Sequence, residues 1–182
     1  MQRGSQLNVH YRASSLSRTY HTAQDISAWR AFRRAPHAGD RAPQAVGEDV
    51  PSRSRLSVFD LLREPTWHLL LFAGSGRDME GNAQLVRLGQ RVEALYGDTV
   101  RTHLIVAPRD TPRTSGWPGH VVLDAQRELH TRYGVSRQAL YLIRPDGYIA
   151  FRSQPANERQ ILEYLRQTLA SAHPQVVPDP TE

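Results

Sequence analysis

Tyr133-Gly134-Val135, followed by Ala139-Leu140-Tyr141-Leu142-Ile143-Arg144-Pro145-Asp146-Gly147-Tyr148-Ile149-Ala150-Phe151-Arg152, decides the fold of this chain. A glycine after the apolar positions Leu129 and Tyr133 is a helix stop. The apolar runs Ala139–Ile143 and Tyr148–Phe151 then flank Arg144-Pro145-Asp146-Gly147, where Pro, Asp and Gly stand where a tight turn uses them. The order predicted is helix end, strand, turn, strand.

Working backward, Val121-Val122-Leu123 reads as a short strand, with Asp124 placed to cap the helix that Gly134 closes. Val100 to Val106 reads as a further strand. From Asn82 to Tyr96 the apolar residues Leu85, Leu88, Val92 and Leu95 recur at intervals of three and four, the stripe of a helix packed on a sheet. Trp67-His68-Leu69-Leu70-Leu71-Phe72-Ala73 is almost continuously apolar, as expected of a central strand covered on both faces. Leu56, Val58, Phe59, Leu61 and Leu62 form a compact cluster, a short strand or helical turn, after a polar loop over residues 46–55. Forward of the hairpin, Asn157 with Gln160 resembles a capping box, and Ile161, Leu162, Leu165 and Leu169 mark a last helical face.

From residue 56 onward the order is β-β-α-β-β-α-β-β-α. Helices between strands imply crossovers and parallel pairing, while the final hairpin imposes an antiparallel edge. The expected fold class is therefore α/β, a mixed central sheet with helices on both faces. An extended N-terminal arm precedes it, in which Leu7, Val9 and Tyr11 alternate like a short half-buried strand and residues 16–32 show no sustained period. The division expected is an arm over 1–35, one domain over 36–172 and a disordered tail over 173–182, which carries Pro174, Pro178 and Pro180.

Composition narrows the chemistry. The 182 residues contain no cysteine, which removes disulfides, thiolate metal sites and thiol nucleophiles together. No apolar run reaches the roughly 18 residues of a spanning helix, and the first thirty residues lack a signal-type apolar core, so a cytoplasmic location is expected, with no membrane partner. All 23 basic residues are Arg, giving a net charge of +5, but they are interleaved with 18 acids. No basic stripe with interleaved aromatic residues exists, so nucleic acid is not an expected partner.

No catalytic residue and no metal ligand is assigned. The eight His residues are isolated from one another in the sequence, and His68, on an apolar strand, reads as a packed histidine with a backbone partner. Gly74-Ser75-Gly76-Arg77-Asp78-Met79, between a strand and a helix, could present backbone amides to an anion or cofactor. Gly74, Ser75 and Gly76 are the weak binding candidates, and an anion- or cofactor-binding protein using the Gly74–Gly81 loop is the alternative function. Met79 occupies the place of the third glycine of a dinucleotide fingerprint. Asp110, Asp124 and Asp146 fit loop or cap positions better than acid–base roles.

Tyr133 to Ile143 resembles the thioredoxin-family stretch in which a Tyr-Gly-Val/Ile turn precedes a cis-proline and a buried strand. Ala139 stands where that family has its cis-proline, and Gly74–Asp78 where a redox member carries Cys-x-x-Cys. More broadly, four phrases resemble the C-terminal end of the FAD-dependent aromatic-ring hydroxylases, the class A flavoprotein monooxygenases of phenol and polyketide hydroxylase type. Leu7 to Ser15 is similar to the family's Leu-x-x-x-Tyr-x-Ser strand, and Pro36 to Pro43 to its Arg-Pro-Gly-x-Arg-Ala-Pro linker. Ser57 to Leu62 is similar to Leu-Tyr-Asp-Leu-Phe, and Leu142 to Arg152 to Leu-Val-Arg-Pro-Asp-Gly-x-Val-Ala-Trp-Arg.

The resemblance implies a thioredoxin-like domain that has lost redox chemistry and serves packing or oligomerisation, with a flavoprotein catalytic domain or a second copy as partner. FAD and NAD(P)H would belong to the parent family and not to this chain, which has no Gly-x-Gly-x-x-Gly at its N-terminus. Residues 39–41 share only Gly-Asp with the family's flavin-contacting motif, so no flavin contact is carried onto Asp40. A detached or truncated module is the expectation that follows.

Overall fold

The computed structural model describes residues 16–21, 26–74, 79–108, 117 and 119–169. The expected strand at Leu7–Tyr11 and the tail lie outside these residues. The elements in chain order are β1 (Arg18–His21), α1 (Ile26–Arg34), β2 (Val46–Asp49), β3 (Arg55–Ser57), α2 (Val58–Leu61), β4 (Trp67–Phe72) and α3 (Met79–Tyr96). They continue with β5 (Val100–Val106), β6 (Val121–Leu123), α4 (Glu128–Arg132), β7 (Ala139–Ile143), β8 (Ile149–Gln154) and α5 (Glu158–Leu169).

One eight-stranded sheet runs in the order β1-β8-β7-β4-β5-β6-β2-β3. Its centre is mixed as the sequence predicts: β4, β5 and β6 are parallel, β7 is antiparallel to β4, and β7–β8 is the hairpin. The turn closes through the Gly147 N–H donating to the Arg144 carbonyl at 2.9 Å.

Period two along β4 sends alternate residues into two cores. Leu69 and Leu71 join Leu104, Val106, Leu140 and Leu142 beneath Leu85, Leu88 and Val92 of α3 and Ile161 and Leu165 of α5. Leu70 and Phe72 join Ile105, Tyr141 and Ile143 beneath Phe32 of α1, Val58 and Leu61 of α2, and Leu129. Both faces being covered is the reason the strand is apolar throughout.

Three expectations are corrected. Residues 46–55 are not a loop but the strands β2 and β3 around a tight turn, in which Asp49 accepts hydrogen bonds from the Ser52 N–H and hydroxyl. The cluster at Leu56–Leu62 is both a strand and a helical turn, joined by a reciprocal cap between Ser57 and Asp60. Residues 16–34, without a period of their own, form β1, which pairs in parallel with β8, and α1. Asp124 does supply a cap to α4, from outside the helix: the residue before it, Arg127, is in left-handed conformation with no side-chain cap bond, and the Asp124 carboxylate accepts from the His130 N–H in the first turn. Elsewhere the Gln160 N–H donates to Asn157 Oδ1, as the capping pattern suggests. Among the described residues no helix is long and apolar enough to cross a membrane.

Candidate functional site

The stretch Tyr133 to Arg152 is a receptor for residues 31–43. Gly134 has φ +63°, and a Cβ there would lie 2.6 Å from both the Ala31 carbonyl oxygen and the Ala35 Cβ, so only glycine lets α1 pass this close. The Tyr133 hydroxyl donates to the Pro43 carbonyl at 3.0 Å, and the Tyr141 hydroxyl to the Tyr133 carbonyl at 2.6 Å. Burial pushes both phenols above their ordinary pKa, so they remain neutral donors. The strand after the turn holds the linker by its backbone. Gly39 N–H donates to the Ile149 carbonyl, Ile149 N–H to the Asp40 carbonyl, and Ala42 N–H to the Gly147 carbonyl.

Arg152 is the centre of this contact. Its side chain is 1% exposed and lies in β8 under α1, with its guanidinium 4.2 Å from the Phe32 ring centroid. One terminal nitrogen donates to the carbonyls of Phe32 at 2.8 Å, Ala35 at 3.3 Å and Pro36 at 2.9 Å, and the other meets His37 Nδ1 at 3.0 Å. Nε donates to the Thr19 hydroxyl of β1 at 3.2 Å. The carbonyls that end α1 have no partners inside the helix, and a planar five-donor fork satisfies several at once. His37 fits because its Nε2–H faces the Arg33 carbonyl at 2.9 Å, leaving Nδ1 as the acceptor toward Arg152.

The places suggested by the thioredoxin resemblance look different. Ala139 is a fully buried β7 residue paired with Phe72, and the cis peptide bond among the described residues is Gln154–Pro155. Gly74 has φ +76°, and a Cβ on it would sit 2.7 Å from the Arg137 carbonyl carbon, so the chain turns hard against the residues before β7. Ser75 and Gly76 lie outside the described residues. A cleft of about 680 Å³ opens nearby, lined by Gly81, Arg87, Arg137, Gln138 and Asn157 among others.

A second cleft, of about 650 Å³, lies between β3, α2 and the first residues of β4 and β5. Histidines far apart in sequence meet there. His68 and His103 stack with centroids 5.3 Å apart, and His103 stacks on His120 at 5.7 Å. His68 Nε2 faces the Glu64 carbonyl at 3.0 Å, and His68 Nδ1 meets His103 Nε2 at 3.0 Å. Burial, then the neighbouring His68, His120 and Arg101, pull the His103 pKa down from 6.5 to about 3, and burial lowers that of His68. His120 Nδ1 lies 3.0 Å from Asp49 Oδ1. Burial works to raise the Asp49 pKa, but the bonds from Ser52 and His120 outweigh it and hold the carboxyl below its usual range. The backbone partner foreseen for His68 is present, but the column is not visible in the sequence, because it depends on the register of β4 against β5. No group of three or more potential ligands among the described residues is arranged to hold a metal.

Comparison with known proteins agrees with this geometry. The thioredoxin domain of a thiol-disulfide oxidoreductase from Bacteroides vulgatus superposes with a TM-score of 0.55 at 16% identity, covering 76% of this chain and 99% of that one. Thiol peroxidase from Chromobacterium violaceum gives a TM-score of 0.56 at 18% identity, covering 73% and 88%. These likenesses establish a thioredoxin-like fold. Aklavinone-11 hydroxylase, solved in a ternary complex with FAD and aklavinone, matches with a TM-score of 0.50 at 28% identity over 75% of this chain. The match spans only 22% of that larger protein. A search of curated proteins finds no match. The sequence model of the family described as aromatic-ring hydroxylase, C-terminal, matches residues 35–172, which include the linker, the histidine column and the whole hairpin. This chain belongs to the aromatic-ring hydroxylase C-terminal domain family.

Proposed function

We propose that this chain is the redox-inactive, thioredoxin-like C-terminal module of an FAD-dependent aromatic monooxygenase, acting in domain packing or oligomerisation. The observation that carries the reading is Arg152. A buried guanidinium commits its donors to Phe32, just upstream of the family match, and to Ala35 and Pro36, its first two residues, and so welds the end of α1 and the start of the linker to the sheet. A module whose characteristic hairpin is used to hold its own upstream chain is organised for fixing one part of a protein against another.

Two further facts support the reading. A sequence without cysteine cannot attack a peroxide or a disulfide through a thiolate. The described clefts also make a poor flavin cradle, since one is walled mainly by guanidinium, carboxylate and imidazole groups and the other by guanidinium, carboxylate and amide groups, with few apolar side chains for a planar tricyclic ring. Flavin and reduced nicotinamide are therefore assigned to a catalytic region and not to this chain. The test is to purify the chain and measure bound flavin by absorbance together with NAD(P)H oxidation in the presence of phenolic substrates. No flavin and no turnover are expected; stoichiometric FAD with turnover would overturn the assignment.

A further inference from the structure

The histidine column ends in an unsatisfied acceptor. The Glu64 carbonyl can only accept, so His68 Nε2 carries the proton and His68 Nδ1 is the lone pair. His103 Nε2 must then donate to His68 Nδ1, which leaves His103 Nδ1 as a lone pair as well. That nitrogen is buried and has no hydrogen-bond partner, on a residue only 4% exposed that lines the 650 Å³ cleft. A buried acceptor without a donor is costly, and such exceptions call for an explanation.

The other groups lining the cleft supply donors. Arg55 extends from β3 with no side-chain partner among the described residues. Its neighbours are paired: Arg63 with Asp60, Arg101 with Glu64, and Glu93 with the Thr102 hydroxyl. Asp49 is held by His120 and Ser52. With the carboxylates engaged, a free guanidinium remains near the rim and a buried imidazole lone pair beneath. An oxygen anion answers the first and an O–H donor the second.

We propose that this cleft binds a small oxyanion that also carries a hydroxyl proton, either hydrogen phosphate or a short hydroxy-carboxylate, with its charged oxygens on Arg55 and its O–H donated to His103 Nδ1. Sulfate matches phosphate in size but carries no proton at neutral pH, and acetate matches glycolate without the hydroxyl. The proposal is independent of the packing role, and either can fail alone.

Isothermal titration of the full chain at pH 7 with these four anions tests it. Phosphate is expected to bind at least tenfold more tightly than sulfate, or glycolate than acetate, and the pair that discriminates identifies the ligand class. Arg55→Gln, an exposed edge-strand change that leaves folding intact, should weaken the preferred anion about tenfold. Equal affinities within both pairs, no binding by any of the four, or affinity unmoved by Arg55→Gln would each overturn the proposal. The imidazole nitrogen resonances give a second readout: His103 Nδ1 should shift with the preferred anion and not with its proton-free counterpart.

Discussion

At the scale of single residues, two buried side chains set the behaviour of the molecule. Arg152→Ala would strand the carbonyls of Phe32, Ala35 and Pro36 in a dry interior. Leaving several buried carbonyls without a donor costs about 3–5 kcal/mol in all, at about 1–3 kcal/mol each with partial relaxation, and Arg152→Lys, which keeps the charge but not the fork, about 1–3 kcal/mol. Urea unfolding should show that ranking, and equal stability of Arg152→Ala and the parent chain would remove Arg152 from its central place. The second residue is His103. Its pKa is pulled from 6.5 to about 3 in the folded chain, so as pH falls the unfolded chain takes up this proton first. The contribution of neutral His103 is thus complete above about pH 6.5 and declines as pH falls toward 3, reaching a loss of about 2 kcal/mol at pH 5. In His103→Leu that part of the slope between pH 6.5 and 4 should disappear. Neither residue announces itself in the sequence. Arg152 stands just past the expected strand Tyr148–Phe151, and only the extension of β8 under α1 buries it; the three histidines meet only through strand register.

At the scale of elements, legibility followed burial. β4, β5 and β7 are covered on both faces, and their composition alone betrays them: Ala139–Ile143 is buried at every position. The helix stripe on α3 and the turn at Arg144–Gly147 were equally legible, because periodicity and turn chemistry are local properties. Edge elements carry no such signal. β1 is exposed at three of its four positions, and β3, at the other edge of the sheet, is a three-residue strand with no fully buried position. α1 is a nine-residue helix whose described side chains bury chiefly Ala28 and Phe32, too few for a clear stripe. Its docking should nevertheless be energetically linked to the sheet, since Phe32 is fully buried, lies against Arg152 and meets Tyr141 edge-on at 6.0 Å. Phe32→Ala is expected to destabilise the whole domain by about 3–5 kcal/mol. Hydrogen exchange would report it as faster exchange in β8 as well as α1, whereas an effect confined to α1 would mean that the helix is an independent appendage.

At the scale of the whole molecule, the hairpin that decided the fold also carries the proposed packing role. The sheet is thioredoxin-like, the sequence contains no cysteine, and the residues from Tyr133 to Arg152 are directed at the segment 31–43. The partner surface proposed for the module is correspondingly the catalytic region of a flavoprotein hydroxylase or a second copy of the chain. Light scattering on the purified chain, alone at rising concentration and mixed with the FAD-loaded catalytic region of an aromatic-ring hydroxylase lacking its own C-terminal domain, tests this most directly. The account predicts a mass above that of the 20.6 kDa monomer in at least one of the two conditions. A strict monomer in both would contradict it.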